Sequence, residues 1–299
     1  MDDIEWLAGR FEEQRPHLRA VAYRMLGSVS EAEDAVQDAW TRVARADTDQ
    51  VENLGGWLTT VVARVCLNML RSRNVRRAES LDGHLPDPIV QPEGYVDPAD
   101  EALLADSVGL ALQVVIDTLT PEERLAFVLH DMFDLPFNEI APLMGRTPEA
   151  TRQLASRARR RVKGGEIQQA ERDRGRQRLV VDAFFAAARA GRFDDLVALL
   201  DSNVVLRADF GPSRPDHSTV LRGADQVAGQ ARLGSRLNAE IHPALVNGAA
   251  GVVITTRGRP FAVMAFTVAA GKITEIDVIG DQDRVASLSS AVLADVDLS

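Results

Sequence analysis

Cysteine is almost absent from this 299-residue chain. Cys66 stands alone, so neither an intrachain disulfide nor a thiolate metal cluster can form. The five histidines (His17, His84, His130, His217, His242) never fall at metal-ligand spacing, and no metal or cofactor is expected. Lysine is nearly as scarce: only Lys163 and Lys272 occur, and arginine supplies the rest of the positive charge. No apolar run approaches the ~20 residues needed to cross a bilayer. The opening Met1-Asp2-Asp3-Ile4-Glu5-Trp6 is acidic and has neither the basic nor the apolar stretch of a secretory signal. A cytoplasmic location without a membrane partner is therefore expected. Positive charge is also in deficit, with a net charge of −10. Taken alone, that argues against nucleic acid, whose binding rests on neutralised phosphates.

The distribution of charge says more than its sum. Residues 64–77 hold five arginines and no acid, and residues 146–163 hold seven basic residues against Glu149 alone. Acids gather near the N-terminus, over Glu31 to Asp38, and between Asp82 and Asp106. An acidic chain with two basic patches fits a DNA binder that also has a basic protein partner. The plainer alternative is a pair of solvated helix faces.

The pattern divides into blocks. Residues 4–77 read as helical. Residues 78–107 read as a linker, rich in breakers such as Pro86, Pro88, Pro92, Pro98, Gly83 and Gly94. Residues 108–163 are helical again, and Gly164-Gly165 opens a polar stretch. From about residue 177 to 299 the pattern gives two helices, a strand at Val204 to Ala208, a helix at Ala224 to Leu233, and β-branched runs punctuated by Gly248, Gly258 and Gly271. Helices followed by an antiparallel meander imply an α+β domain with helices on one face of a curved sheet.

Within the first block, Ser30-Glu31-Ala32-Glu33 fits a capping box led by Ser30. The helix after it carries its apolar residues at helical spacing, with Asp34 and Asp38 one turn apart on another face. The next helix, from about Trp57 to Arg77, sets Arg64, Asn68 and Arg71 opposite its apolar stripe. Cys66 reads as plain helix packing. In the later helical block Thr120 caps a helix opened by Pro121. Asn138 to Ala150 then reads as a short helix, a turn at Gly145, and a second helix capped by Thr147, the dimensions of a helix-turn-helix. Pro142 is tolerable there only near the start of the short helix. On a helical wheel Ala150, Thr151, Leu154, Ala155, Ala158 and Val162 share one side of the second helix. Glu149, Arg152, Gln153, Ser156, Arg159, Arg160 and Lys163 share the other, a face suited to phosphates and guanine edges.

These residues resemble the extracytoplasmic-function sigma factors of the sigma-J type, which carry a SnoaL-like C-terminal domain. Residues 11–77, with "GSVSEAEDAVQDAW" and "WLTTVVARVCLNMLR", are similar to sigma region 2. Residues 119–162, from "LTPEERLAFVLHDMFDLPFNEIAPLMG" to "RTPEATRQLASRARRRV", are similar to region 4. "HLPDP" resembles the Leu-Pro-Glu-Pro linker element of the extended members, and "FTVAAGKITEIDVIGDQDRV" their final strands and helix. The resemblance implies two all-α domains followed by an α+β cone. It implies that Asp34, Gln37 and Asp38 meet the β′ coiled coil of RNA polymerase core and that region 4 meets the β flap. For the −10 element it implies Asn53, Trp57, Arg64, Asn68, Arg71, Arg73, Arg76 and Arg77, with the loop from Asp47 to Gly56 holding a flipped base. For the −35 element it implies Glu149, Arg152, Gln153, Ser156, Arg157, Arg159, Arg160 and Lys163. The linker would run along the polymerase RNA-exit path. Whether an anti-sigma partner exists is not implied by any motif. One departure stands out: where the extended members often have Asp-Gly-Gly-Gly-Lys, this chain reads Asp209-Phe210-Gly211-Pro212.

Two rival readings remain open on the sequence. A stand-alone helix-turn-helix regulator explains residues 138–163 but leaves the first block idle. An enzyme would use the mouth of the C-terminal cone, with Asp209, His217 and Asp281 as candidate lining residues, yet no acid and base pair at informative spacing. The expectation is a sigma factor that is not an enzyme, with a C-terminal domain that modulates it.

Overall fold

The computed structural model describes residues 2–46, 51, 53–77, 85–94, 109–164, 171, 173–234 and 239–294; for residues 2–4, 73–77, 109, 111, 163 and 164 only the backbone is described. The chain forms two compact units. One comprises residues 1–81, 97–106 and 113–166, the other residues 82–96, 107–112 and 167–299.

In the first unit α1 (Asp2–Leu26), α2 (Val29–Val43) and α3 (Leu54–Arg77) pack on one another. Apolar residues at helical spacing supply the core: Leu7, Phe11 and Leu18 on α1, Ala32, Ala35, Val36 and Ala39 on α2, Leu58, Val62 and Val65 on α3. The cap of α2 is Ser28 rather than the expected Ser30. Ser28 is extended (φ −142, ψ 133) and its hydroxyl accepts from the Glu31 N–H, whereas Ser30 already lies inside the helix. Helix α3 also begins earlier than expected. The Asn53 side-chain oxygen accepts from the Gly56 N–H at 3.0 Å, so Leu54, Gly55 and Gly56 form a first helical turn instead of the end of a loop. Residues 47–50 and 52 of that loop lie outside the described residues. Cys66 is fully buried, and burial pushes its thiol pKa up, away from reactive thiolate.

Helices α4 (Gly109–Asp117), α5 (Pro121–Phe127), α6 (Phe137–Met144) and α7 (Pro148–Gly164) follow. The division between the two units falls within α4. Thr120 and Glu123 make a complete capping box at α5, and α5 runs into a single π turn over Val128–Met132. Pro142 is the sixth residue of α6, not near its start. It is accommodated because Pro142 and Asn138, whose carbonyl loses its helical donor, are both exposed and water can take that carbonyl. Gly145 at φ 63 ends α6 in the left-handed conformation, and the Thr147 hydroxyl accepts from the Ala150 N–H at 3.2 Å to start α7. Ala126, Leu154 and Ala155, with Phe137 and Met144, form the small core beneath this helix-turn-helix.

A polar seam joins these helices to α1. Arg124, 4% exposed, donates to the Met25 carbonyl at 2.9 Å and pairs with Asp117 at 2.6 Å. Gln113 donates to the Arg24 carbonyl at 3.4 Å. Both carbonyls lie in the last turn of α1, where no helical N–H can reach them.

The second unit is built on a seven-stranded sheet. Its strands are β1 (Val90–Pro92), β2 (Leu200–Asp209), β3 (Thr219–Arg222), β4 (Ala239–Val246), β5 (Ala249–Thr256), β6 (Arg259–Ala269) and β7 (Lys272–Ile279), in the order β1-β4-β5-β6-β7-β2-β3. Three two-residue hairpins, Asn247-Gly248, Arg257-Gly258 and Ala270-Gly271, have positive φ at both central positions, the type I′ geometry that matches strand twist. The sheet departs from a purely antiparallel one at a single pairing, β2 with β7, which is parallel. No hairpin links those two strands, so nothing forces them to run in opposite directions.

Helices α8 (Arg174–Arg189), α9 (Phe193–Leu199) and α10 (Ala224–Gly234) cover one face, where Val181, Phe184, Leu196, Val227, Phe266 and Ile276 share a core. Helices do not keep to that face alone. A final helix, α11 (Gln282–Leu293), packs on β1 and β6 with none of its buried residues in that core. It covers the opposite face, toward which Val263 and Ala265 point in alternation with Met264 and Phe266. The expected linker also proves structured in part. Residues 85–94 belong to this unit, and β1 pairs antiparallel with β4 through Val90–Val246, Gln91–Leu245 and Pro92–Ala244.

Candidate nucleic-acid and polymerase interfaces

The wheel of α7 is reproduced in three dimensions. Thr151, Leu154, Ala155 and Ala158 are buried; Glu149, Arg152, Gln153, Ser156, Arg157 and Arg160 are exposed. The arginines then separate by partner. Arg159 is half-buried and donates to Asp131 of the π turn at 2.5 Å. Arg157 approaches Glu123 at 3.9 Å, and Arg161, which the sequence pattern did not single out, pairs with the same carboxylate at 2.7 Å. Arg152 instead lies over the Phe137 ring, 5.4 Å from its centroid, and Phe137 packs on His130 at 3.9 Å between ring centroids. Arg152, Gln153, Ser156 and Arg160, with Glu149 at the helix start, are thus the exposed members of the face outside these ion pairs. Glu149 sits at the helix N-terminus, where its own backbone N–H and the Thr147 hydroxyl hold its carboxyl below the usual range. The side chain of Lys163 lies outside the described residues.

On α3, Arg64, Asn68 and Arg71 are exposed along one stripe. Arg71 forks onto Glu122 of α5 at 3.0 and 2.9 Å. Trp57 is half-buried and shares a hollow of about 330 Å³ with Arg42, Arg64 and Leu143 of α6. Asn53 serves as the cap described above. Arg73, Arg76 and Arg77 continue the helix in backbone only, their side chains lying outside the described residues. On α2, Asp34, Gln37 and Asp38 are exposed opposite the buried stripe, and Asp38 accepts from Arg42 at 2.7 Å.

The second unit grips the linker at the element that resembles Leu-Pro-Glu-Pro. The linker residues Leu85 to Gly94 form a strap that reaches from Asp209 at the end of β2 to the sheet edge beside β4. The Leu85 N–H donates to Asp209 at 3.0 Å, and Ile89 exchanges two 2.8 Å hydrogen bonds with Asn247. Arg284, at the start of α11, donates to the Leu85 carbonyl, Asp87 and Asp209, each at 2.6 Å. Arg178 pairs with Glu93 at 2.5 Å. Leu85, Ile89 and Val90 are buried.

The three candidate cavity residues separate accordingly. Asp209 faces the strap instead of a cavity, and Asp281 caps α11 by accepting from the Arg284 N–H at 3.1 Å. Only His217 borders a cavity, of about 310 Å³, between α8, α10 and the sheet. Asp209 keeps its place in the loop that lacks the expected lysine, and its cationic partner comes from Arg284.

Residues 10–76 match the family model of sigma-70 region 2 and residues 109–162 that of sigma-70 region 4. The chain is 38% identical over 279 residues to the ECF RNA polymerase sigma factor SigJ of Mycobacterium tuberculosis, covering 90% of this chain and 86% of that protein. It is 36% identical over 288 residues to the probable ECF RNA polymerase sigma factor SigI of the same organism, covering 93% and 94%. The crystal structure of the M. tuberculosis SigJ protein matches with a TM-score of 0.71 at 32% identity, over 93% of this chain and 97% of that one. No helix among the described residues is long and apolar enough to cross a membrane. From the two matched regions and the likeness over nearly its whole length, this chain belongs to the extracytoplasmic-function RNA polymerase sigma factors.

Proposed function

We propose that the chain binds RNA polymerase core in the cytoplasm and directs it to promoters, contributing recognition and placement and no catalytic step of its own. The observation that carries this reading is the sorted face of α7: buried small residues on one side, and Arg152, Gln153, Ser156 and Arg160 exposed together on the second helix of a helix-turn-helix. That is the position from which side chains enter the major groove at the −35 element. The exposed stripe of Arg64, Asn68 and Arg71 serves the −10 element, and Arg73, Arg76 and Arg77 are assigned to the same element. Asp34, Gln37 and Asp38 dock on the β′ coiled coil, and the region-4 helices dock on the β flap.

Core polymerase is required for a geometric reason. Arg71 on Glu122 holds α3 beside α5. The −35 and −10 elements are separate sites along the promoter, and B-form DNA rises about 3.4 Å per base pair between them. The helices that read them cannot reach both until they separate, and engagement by core supplies the separation. The C-terminal domain acts on the same process through the strap, since it grips the chain that connects region 2 to region 4.

The test is capture of purified core polymerase by the full chain and by an Asp34→Lys/Asp38→Lys variant. Placing like charges against a basic partner costs several kcal/mol, so capture falls sharply in the variant. Equal capture by both proteins contradicts the assignment.

A further inference from the structure

The sheet of the C-terminal domain has two faces with different chemistry, and the end of β2 connects them. Leu206, Ala208 and Phe210 point into the 310 Å³ cavity. The alternate residues turn the other way: Arg207 binds Glu275 and Asp277 at 2.9 and 3.0 Å, and Asp209 binds the strap and Arg284. The cavity walls are apolar, with Phe184, Phe185, Phe210 and Phe261 presenting four rings and Ile254 and Met264 between them. Polar groups stand at the rim, where Arg189, His217 and Gln230 are exposed. No carboxylate is among the described lining residues. The carboxylates of this part of the sheet face away and are held by Arg207 and Arg284.

We infer that this cavity is a binding site for a flat, largely apolar ring compound that carries an anionic or hydrogen-bonding oxygen at one end, and that its occupancy is read by the linker strap. The volume is at the small end of pockets for drug-sized molecules, about 300–1,000 Å³, which suits two or three rings. Aromatic walls favour stacked or edge-on rings, and the rim arginine and histidine orient the polar end.

The coupling follows from Phe210. Its ring fills the space against Gly280, where an added Cβ would come within 2.3 Å of it. Its neighbour Asp209 accepts from the Leu85 N–H, and the Asp209 carbonyl accepts from the Gly280 N–H at 2.7 Å. A ligand that presses on Phe210 therefore presses on the residue that anchors the strap. By linkage, a ligand that favours one placement of the strap is itself bound better when the strap is so placed. This inference rests on the sigma-factor reading only for its consequence in transcription.

The experiment uses the full chain and neither polymerase nor DNA, so its failure removes the ligand site and leaves the sigma-factor reading standing. The probe is 8-anilinonaphthalene-1-sulfonate, an apolar anion with three rings. Titration by fluorescence is expected to show one saturable site. Met264→Trp and Ala208→Leu each overfill the cavity and are expected to weaken binding about tenfold while circular dichroism shows the fold retained. Hydrogen exchange at the Leu85 and Ile89 amides is expected to change by about threefold or more when the probe is bound. Absence of saturable binding, or unchanged affinity in every variant that keeps its fold, overturns the site. If both variants unfold, exchange in the Phe184–Phe185 segment of the wild type decides: protection by the probe supports the site and no protection overturns it. Saturable binding with unchanged exchange at Leu85 and Ile89 overturns the coupling.

Discussion

Arg124 and Arg284 make the same kinds of contact on two seams of different strength. Each is mostly buried, each pairs with a carboxylate, and each donates to a backbone carbonyl of a distant segment. Around Arg284 the backbone itself is engaged: Leu85 and Ile89 are hydrogen-bonded and β1 continues as a sheet strand. Around Arg124 the polar contacts described are side chain to helix end, and the Gln113 bond is long at 3.4 Å. Carbonyls at a helix C-terminus are hydrated when uncovered, so water replaces part of what that seam loses on opening. A strap whose backbone groups are paired on a sheet cannot leave so easily. The contrast matches the proposed function, in which regions 2 and 4 must part while the strap stays gripped by the C-terminal domain.

The largest effect is expected from Arg284→Met, which leaves Asp209 and the Leu85 carbonyl without this donor. Breaking a buried pair from one side costs about 3–5 kcal/mol. Denaturant unfolding should show that loss, and hydrogen exchange at Leu85 and Ile89 should accelerate. If stability is unchanged, the strap is not held as described. Arg124→Met leaves Asp117, itself largely buried, without this donor and should cost a similar amount, about 3–5 kcal/mol. Hydrogen exchange separates the two: Arg284→Met should accelerate Leu85 and Ile89, Arg124→Met should leave them unchanged, and acceleration there by Arg124→Met alone reverses the comparison.

Next in size is a pH effect within the strap-bearing unit. Burial, against the pull of Arg207, pushes the Asp277 carboxyl up to about 6 from its ordinary 3.8. The folded state then holds a proton in that window that the unfolded chain releases. Its contribution is most favourable below about pH 4 and is lost as pH rises to about 6, on the order of 2–3 kcal/mol. Asp277→Asn should remove that slope from the unfolding free energy measured between pH 4 and 6; a slope that persists unaltered contradicts the assignment to Asp277. The smallest effect is expected at the exposed Arg71–Glu122 pair. Arg71→Ala should change stability by no more than about 1 kcal/mol, yet it should reduce −10-dependent promoter opening if the stripe meets DNA. Unfolding and permanganate footprinting with core separate the two outcomes.

Local chemistry made much of this fold legible. The Thr120–Glu123 box, the Gly145 turn, the Thr147 cap and the two sides of α7 each depend on residues within a few positions of one another. So do the three glycine-ended hairpins. Long-range pairing was not legible. The strap joins Leu85 and Ile89 to Asp209, Asn247 and Arg284, more than a hundred residues away; the sequence marks "HLPDP" there through its resemblance, but not the residues it pairs with. The parallel β2–β7 pair and the placement of α11 are likewise set by packing. At the interfaces, spacing identified the exposed face of α7 but could not separate its arginines. Arg157 and Arg159 meet Glu123 and Asp131, whereas Arg152 rests on Phe137, a distinction that needs the π turn and α6 in place. Ser28 and Ser30 show the same limit on a smaller scale: two similar caps, with the turn geometry deciding between them.

The most direct test of the account is run-off transcription with purified core polymerase on promoters selected from genomic DNA, comparing the full chain with an Arg152→Ala/Arg160→Ala variant. An arginine that reads guanine contributes about 1–3 kcal/mol of discrimination. The wild type should give discrete transcripts that depend on core and on the −35 sequence. The double variant should lose about tenfold or more of that output while still capturing core. Full activity of the double variant, or transcripts indifferent to a scrambled −35 element, would contradict the assignment of α7 as the promoter-reading helix.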